Sequence, residues 1–135
     1  MMIQIPVSAG ELIDKITILE VKSVRMSDPA KLANVRRELE ALEAERDRAL
    51  GGFVELEALA GALRSVNGRL WDIEDGKRAC EAKGDFGADF IALARLVYKL
   101  NDHRADLKRQ INQVTGSQIV EEKSHPTYDR GAPDA

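Results

Sequence analysis

Apolar side chains return every three or four positions through most of residues 30–115, in segments dense in Ala, Leu, Glu, Lys and Arg. That spacing is the period of a helix; a half-buried strand would alternate instead. Leu56, Leu59, Leu63, Val66, Leu70 and Ile73 form one stripe, and Leu93, Val97, Leu100, Leu107, Ile111 and Val114 form another. Leu32, Val35, Leu39 and Leu42 make a shorter third. Aromatic residues are only 4% of the chain, so the core these stripes build is aliphatic. The pattern predicts an all-α fold.

Local chemistry sets the helix ends. Ser8-Ala9-Gly10-Glu11 reads as a capping box and opens a first helix at about Ala9, which runs to about Met26. Asp28 caps a second, with Pro29 at its first position, where no amide donor is needed. It runs to about Ala49, and its dense charges are a solvated face. Gly51-Gly52 breaks or loosens the chain before a third helix from about Phe53 to Lys83. Gly84 ends that helix, Asp85 caps a fourth from about Phe86, and Gly116 stops it after Thr115. The expected architecture is an elongated antiparallel bundle of three to four long helices, with coiled-coil character between the last two. Those two are roughly 45 Å long at 1.5 Å per residue. Residues 2–7 and 118–121 are β-prone and can pair as two short strands. One helical domain is expected over residues 1–123, followed by a flexible tail over 124–135.

Composition excludes several classes of function. Twenty basic and twenty-three acidic side chains are interspersed, with a net charge of −3, so the basic stripe of a nucleic-acid binder is missing. No apolar run reaches membrane-spanning length, and no partner membrane is expected. The N-terminus lacks the basic region of a signal peptide, and the lone Cys80 forms no internal disulfide, so the expected compartment is the cytoplasm. Cys80 follows Leu70 and Ile73 at helical spacing and reads as a small hydrophobe. His103 and His125 stand far apart, outside any metal-ligand spacing, so no metal or cofactor is expected.

The informative residues are polar ones in apolar stripes. Arg104 fills the gap between Leu100 and Leu107, with Asn101 and Lys108 beside it. Glu20 falls among Ile13, Ile16 and Val24 on the first helix. Arginine does not neutralise itself when buried, so Arg104 needs a carboxylate, a bound anion or an open cleft. If the terminal strands pair, Glu20 lies level with Arg104, which predicts a Glu20–Arg104 pair inside the bundle. Glu20, Asn101, Arg104 and Lys108 are therefore the candidate ligand-binding residues, and no catalytic residue is evident. Lys77 continues the Leu63–Leu70–Ile73 stripe and is expected to snorkel. Trp71 is either an interface anchor or core packing.

Three stretches carry a resemblance: Val7-Ser8-Ala9-Gly10-Glu11-Leu12-Ile13-Asp14-Lys15-Ile16-Thr17-Ile18-Leu19-Glu20, Tyr98-Lys99-Leu100-Asn101-Asp102-His103-Arg104-Ala105, and Gly116-Ser117-Gln118-Ile119-Val120-Glu121-Glu122-Lys123-Ser124. In that order they resemble a small family of bacterial all-helical proteins of unknown function. The resemblance implies a bacterial cytoplasmic protein and nothing catalytic. A fainter likeness is to small all-helical chorismate mutases, where Arg25, Arg104 and Lys108 are the comparable cations; their spacing departs from that pattern, and no role is carried over.

Two functions follow as expectations. The first is a protein-interaction or assembly module working as a helical homodimer or with a protein partner. The thin bundle supports it, and so does a first helix that is apolar on two sides. The alternative is a binder of, or small enzyme acting on, a small anionic ligand held by the polar cluster.

Overall fold

A computed structural model describes residues 1–130. The last five residues of the expected tail, 131–135, lie outside them. Four helices follow in order: α1, Ala9–Arg25; α2, Pro29–Leu50; α3, Leu56–Lys83; and α4, Ala88–Thr115.

Short-range bonds make the boundaries. Ser8 Oγ accepts from Glu11 N at 3.0 Å, while the Glu11 carboxylate turns to Lys108 instead of closing the box. Asp28 Oδ1 accepts from Ala30 N and Lys31 N, with Pro29 at the first position. Gly84 and Gly116 hold φ of 67° and 65°, the left-handed turn that closes α3 and α4 and that only glycine adopts without strain. The Gly51-Gly52 break separates α2 from α3 completely, and α3 starts at Leu56, where its apolar stripe begins, three residues after the expected Phe53.

Helix α1 is the centre and packs against each of the other three. Gly10, Leu12, Ile13, Asp14, Ile16, Thr17, Leu19 and Val21 are all buried on it, which is why it is apolar on more than one side. Ile13, Leu63 and Ile111 are the most enclosed apolar side chains, one from each of α1, α3 and α4. Helix α2 buries only Val35 fully and lies on α1 with its charged face outward.

Between α3 and α4 there is a short turn and an antiparallel contact, with Leu93 packed over Gly76. Each has 28 residues against 17 in α1, or about 42 Å against about 26 Å. The hairpin therefore projects beyond α1 as an arm. From Glu74 to Lys99 no residue is buried.

The expected strand pairing is not there. Among the described residues there is no strand, and residues 2–7 make no hydrogen bond to the rest of the chain. The two ends do meet, but through side chains. Ala9 N donates to Ser117 Oγ at 3.2 Å, and Gly10 N donates to Asn112 Oδ1 at 2.7 Å. Residues 125–130 run along the outer side of α4. Tyr128 donates to Asp102 and stacks edge-on against Tyr98, and Arg130 bonds Asp106 at 2.9 Å.

Candidate functional site

Antiparallel packing of α1 on α4 sets Gly10 beside Asn112, Glu11 beside Lys108 and Asp14 beside Arg104. Asp14 is wholly buried. Its Oδ1 accepts from Arg104 Nε at 2.9 Å and its Oδ2 from Arg104 Nη2 at 2.5 Å, a two-pronged guanidinium–carboxylate pair. Asn67 on α3 donates to Asp14 Oδ1 at 2.9 Å and to Thr17 Oγ1 at 3.0 Å. The Thr17 hydroxyl in turn donates to the Asp14 carbonyl at 2.8 Å. Arg104 Nη1 donates to Asn101 Oδ1 at 3.3 Å. One helical turn away, Lys108 Nζ bridges Glu11 and Glu121, both at 2.7 Å.

Arg104 thus sits where the stripe places it, but its partner is Asp14 and not Glu20. Glu20 accepts instead from Arg64 on α3 at 2.8 Å, near the surface. The terminal strands that would set Glu20 level with Arg104 do not form. The side-chain ties set Asp14 there instead, six residues or about 9 Å lower on α1. Of the four candidate residues, Asn101 and Arg104 come together, Lys108 forms a separate cluster, and Glu20 stands apart. The three cations Arg25, Arg104 and Lys108 are likewise separated, each on its own carboxylates. Asp14, Thr17 and Asn67 did not emerge as candidates from the sequence. Their signal was Gly10, Asp14, Thr17 and Val21 at spacings of four, three and four, a helix face that is polar in its middle.

Burial pushes the Asp14 carboxyl up, but the bonds from Arg104 and Asn67 and the charges of Arg104 and Lys108 outweigh it, leaving it below the ordinary aspartate value. The bond to Asp14 raises Arg104. Desolvation lowers Lys108, yet Glu11 and Glu121 more than reverse that, and its value is raised. All three groups stay charged near neutrality, opposite to what general acid–base chemistry requires. Stability depends on pH accordingly. Asp14 contributes fully above its unfolded value of about 3.9, and the contribution is lost as pH falls through its lower folded value. Lys108 contributes below about 10.4, and its share is lost as pH rises through its higher folded value. Urea titrations across pH should show a plateau between about pH 5 and 10, with an acid limb that flattens in Asp14→Asn.

Above the ion pair lies an open cleft of about 390 Å³ between α1, α3 and α4. Ile18, Val21, Leu70 and Trp71 form its walls, and Asn67 and Arg104 its floor. Glu74, Asp75 and Arg78 stand on its rim, where the arm leaves the body. Among the described residues no three His, Cys, Asp or Glu side chains group as metal ligands, and no helix is long and apolar enough to cross a membrane.

Fold and site together define an all-α protein of four helices, fastened at one end by side-chain ties and at mid-height by a buried carboxylate–guanidinium pair. The chain belongs to a family of unknown function, DUF6165, whose model it matches over residues 2–133. No curated protein and no solved structure matches it.

Proposed function

We propose that this chain is an assembly module that works as a helical homodimer, two copies meeting along the α3–α4 arm. The observation that carries this reading is the absence of any buried residue from Glu74 to Lys99, although that span holds parts of two packed helices. Two helices alone do not enclose a core. A second arm across a two-fold axis makes four, the usual number for a closed bundle, with coiled-coil packing between them. Phe86 and Ile91 stand more than half exposed on the arm and gain cover in such a pair.

A lone cysteine and the bacterial resemblance make the bacterial cytoplasm the setting of this reading. The alternative, an anionic metabolite held by Glu20, Asn101, Arg104 and Lys108, has less support. Asp14 fills the fork of Arg104, Lys108 is closed in by two carboxylates, and Glu20 faces Arg64.

Light scattering tests the proposal. Wild type at tens of micromolar should have at least twice the 14.9 kDa of one chain. The double variant Phe86→Glu/Ile91→Glu should fall to at most half the wild-type mass with unchanged helix content, because both side chains are exposed in the monomer. A single-chain mass for wild type would remove the reading.

A further inference from the structure

The end of the molecule opposite the arm carries a second uncovered surface. Eight of the fourteen large apolar side chains exposed among the described residues stand on Met1–Val7 or on residues 114–120. The N-terminal segment runs to Val7 without helix, turn or bend, and every residue in it is exposed. Its root is firmly held: Ser8 caps α1, and Ala9 is tied to Ser117. In an extended chain, side chains alternate between two faces. Ile3, Ile5 and Val7 then share one face, at 78%, 69% and 37% exposure, while Met2, Gln4 and Pro6 share the other. The Ile3–Ile5–Val7 face is apolar and the main chain beside it is free to pair, since residues 2–7 make no hydrogen bond to the rest of the described chain.

We propose that residues 2–6 of two copies pair as antiparallel strands about a two-fold axis at Gln4. The register follows from the sequence. With Gln4 opposite Gln4 of the second copy, Ile3 lies opposite Ile5 and Ile5 opposite Ile3, so four isoleucines share one face. Pro6 has no N–H to give and must occupy a site that makes no ladder bond. In an antiparallel pair such sites alternate, so Gln4 is also at one, and Ile3 and Ile5 make about four main-chain bonds across the axis. The same face can cover Ile119 and Val120, exposed where the chain leaves α4. Identical segments paired this way close on themselves, and the partner is a second copy of this chain. This seam is independent of the arm. Two such seams at opposite ends carry assembly beyond the dimer, to a closed tetramer or an open row of subunits.

Disulfide trapping on the full chain tests the register, with Cys80→Ser removing the native thiol. Non-hydrogen-bonded partners lie about 4.5 Å apart between Cα atoms, within disulfide reach. Gln4→Cys should therefore link two chains under mild oxidation at least about tenfold faster than Glu57→Cys, an exposed control on α3, because the seam raises the effective thiol concentration toward millimolar. Ile3→Cys or Ile5→Cys alone should link slowly. Each faces its own counterpart two positions off, roughly 8 Å away and beyond reach. The two together should link as fast as Gln4→Cys. The same linkage in the Phe86→Glu/Ile91→Glu background shows that this seam stands whether or not the arm pairs. Equal rates at residues 3, 4 and 5, or a Gln4→Cys rate no greater than the control, would overturn the proposal.

Discussion

Arg104→Ala is expected to lower the unfolding free energy by about 3–5 kcal/mol, the cost of leaving one member of a buried ion pair alone. On a chain of this length that is a fall on the order of 10–20 °C in Tm. Asp14 has no way out: its side chain is 1% exposed and rooted in the middle of α1, with Asn67 its remaining side-chain donor. Asp14→Ala should cost less, about 2–3 kcal/mol, because the stranded group is then Arg104. Its side chain is 28% exposed and lies on the cleft floor, so the guanidinium can turn toward water. The asymmetry has a pH signature. Without Arg104, the Asp14 carboxyl is governed by burial and its folded value rises above the unfolded one. The Arg104→Ala deficit should then shrink as pH falls below that raised value, whereas wild type loses stability in acid. Replacing both with apolar residues, Asp14→Leu/Arg104→Met, should restore much of the loss, since a well-packed apolar pair is often as stable as a buried ionic one. Chemical denaturation at neutral and acid pH reads all of these values, and the double variant Asp14→Ala/Arg104→Ala closes the double-mutant cycle. A cycle coupling near zero would show that the pair does not hold α1 to α4.

The helices and most of their ends were legible because caps are local; the starts of α3 and α4, where Glu55 and Gly87 stand at the cap and no side chain bonds, were not. Ser8 reaches Glu11 N, Asp28 reaches Ala30 N, and Gly84 and Gly116 need only their own φ. The oddity of Arg104 was legible for the same reason, since a wheel gives each residue its angle about its own helix axis. Its partner was not, because a wheel says nothing about how far one helix slides along another. The level of Glu20 depends on a strand pairing, and β-propensity in residues 2–7 and 118–121 names no partner. The real register comes from Gly10 against Lys108 and Asn112, a contact no single-helix pattern contains. Asp14 was hidden for a related reason. A carboxylate between Ile13 and Lys15 reads as a solvated residue until α1 is known to pack against all three other helices.

Gly10→Ala should destabilise the protein by about 1–3 kcal/mol, although alanine is the better helix former. A Cβ there would lie 2.5 Å from the Lys108 carbonyl oxygen and 3.0 Å from Asn112 Oδ1. The nearer atom is backbone, so no rotamer relieves it, and α1 and α4 must separate. Separation lengthens the Gly10–Asn112 bond and strains the Ala9–Ser117 and Lys108–Glu11 ties at the same level. One lost buried hydrogen bond adds about 1 kcal/mol. Gly61→Ala supplies the control of opposite sign. Nothing lies within 4 Å of its added methyl, so helix propensity alone acts and stability should rise by up to about 1 kcal/mol. Thermal and urea unfolding of the two variants separate steric contact from propensity; destabilisation by both, or by neither, would refute the close approach at Gly10. The same substitution loosens the root of the N-terminal segment. Gly10→Ala should therefore also slow Gln4→Cys linkage, while Gly61→Ala leaves it unchanged, which connects the tightest contact in the fold to the assembly it presents.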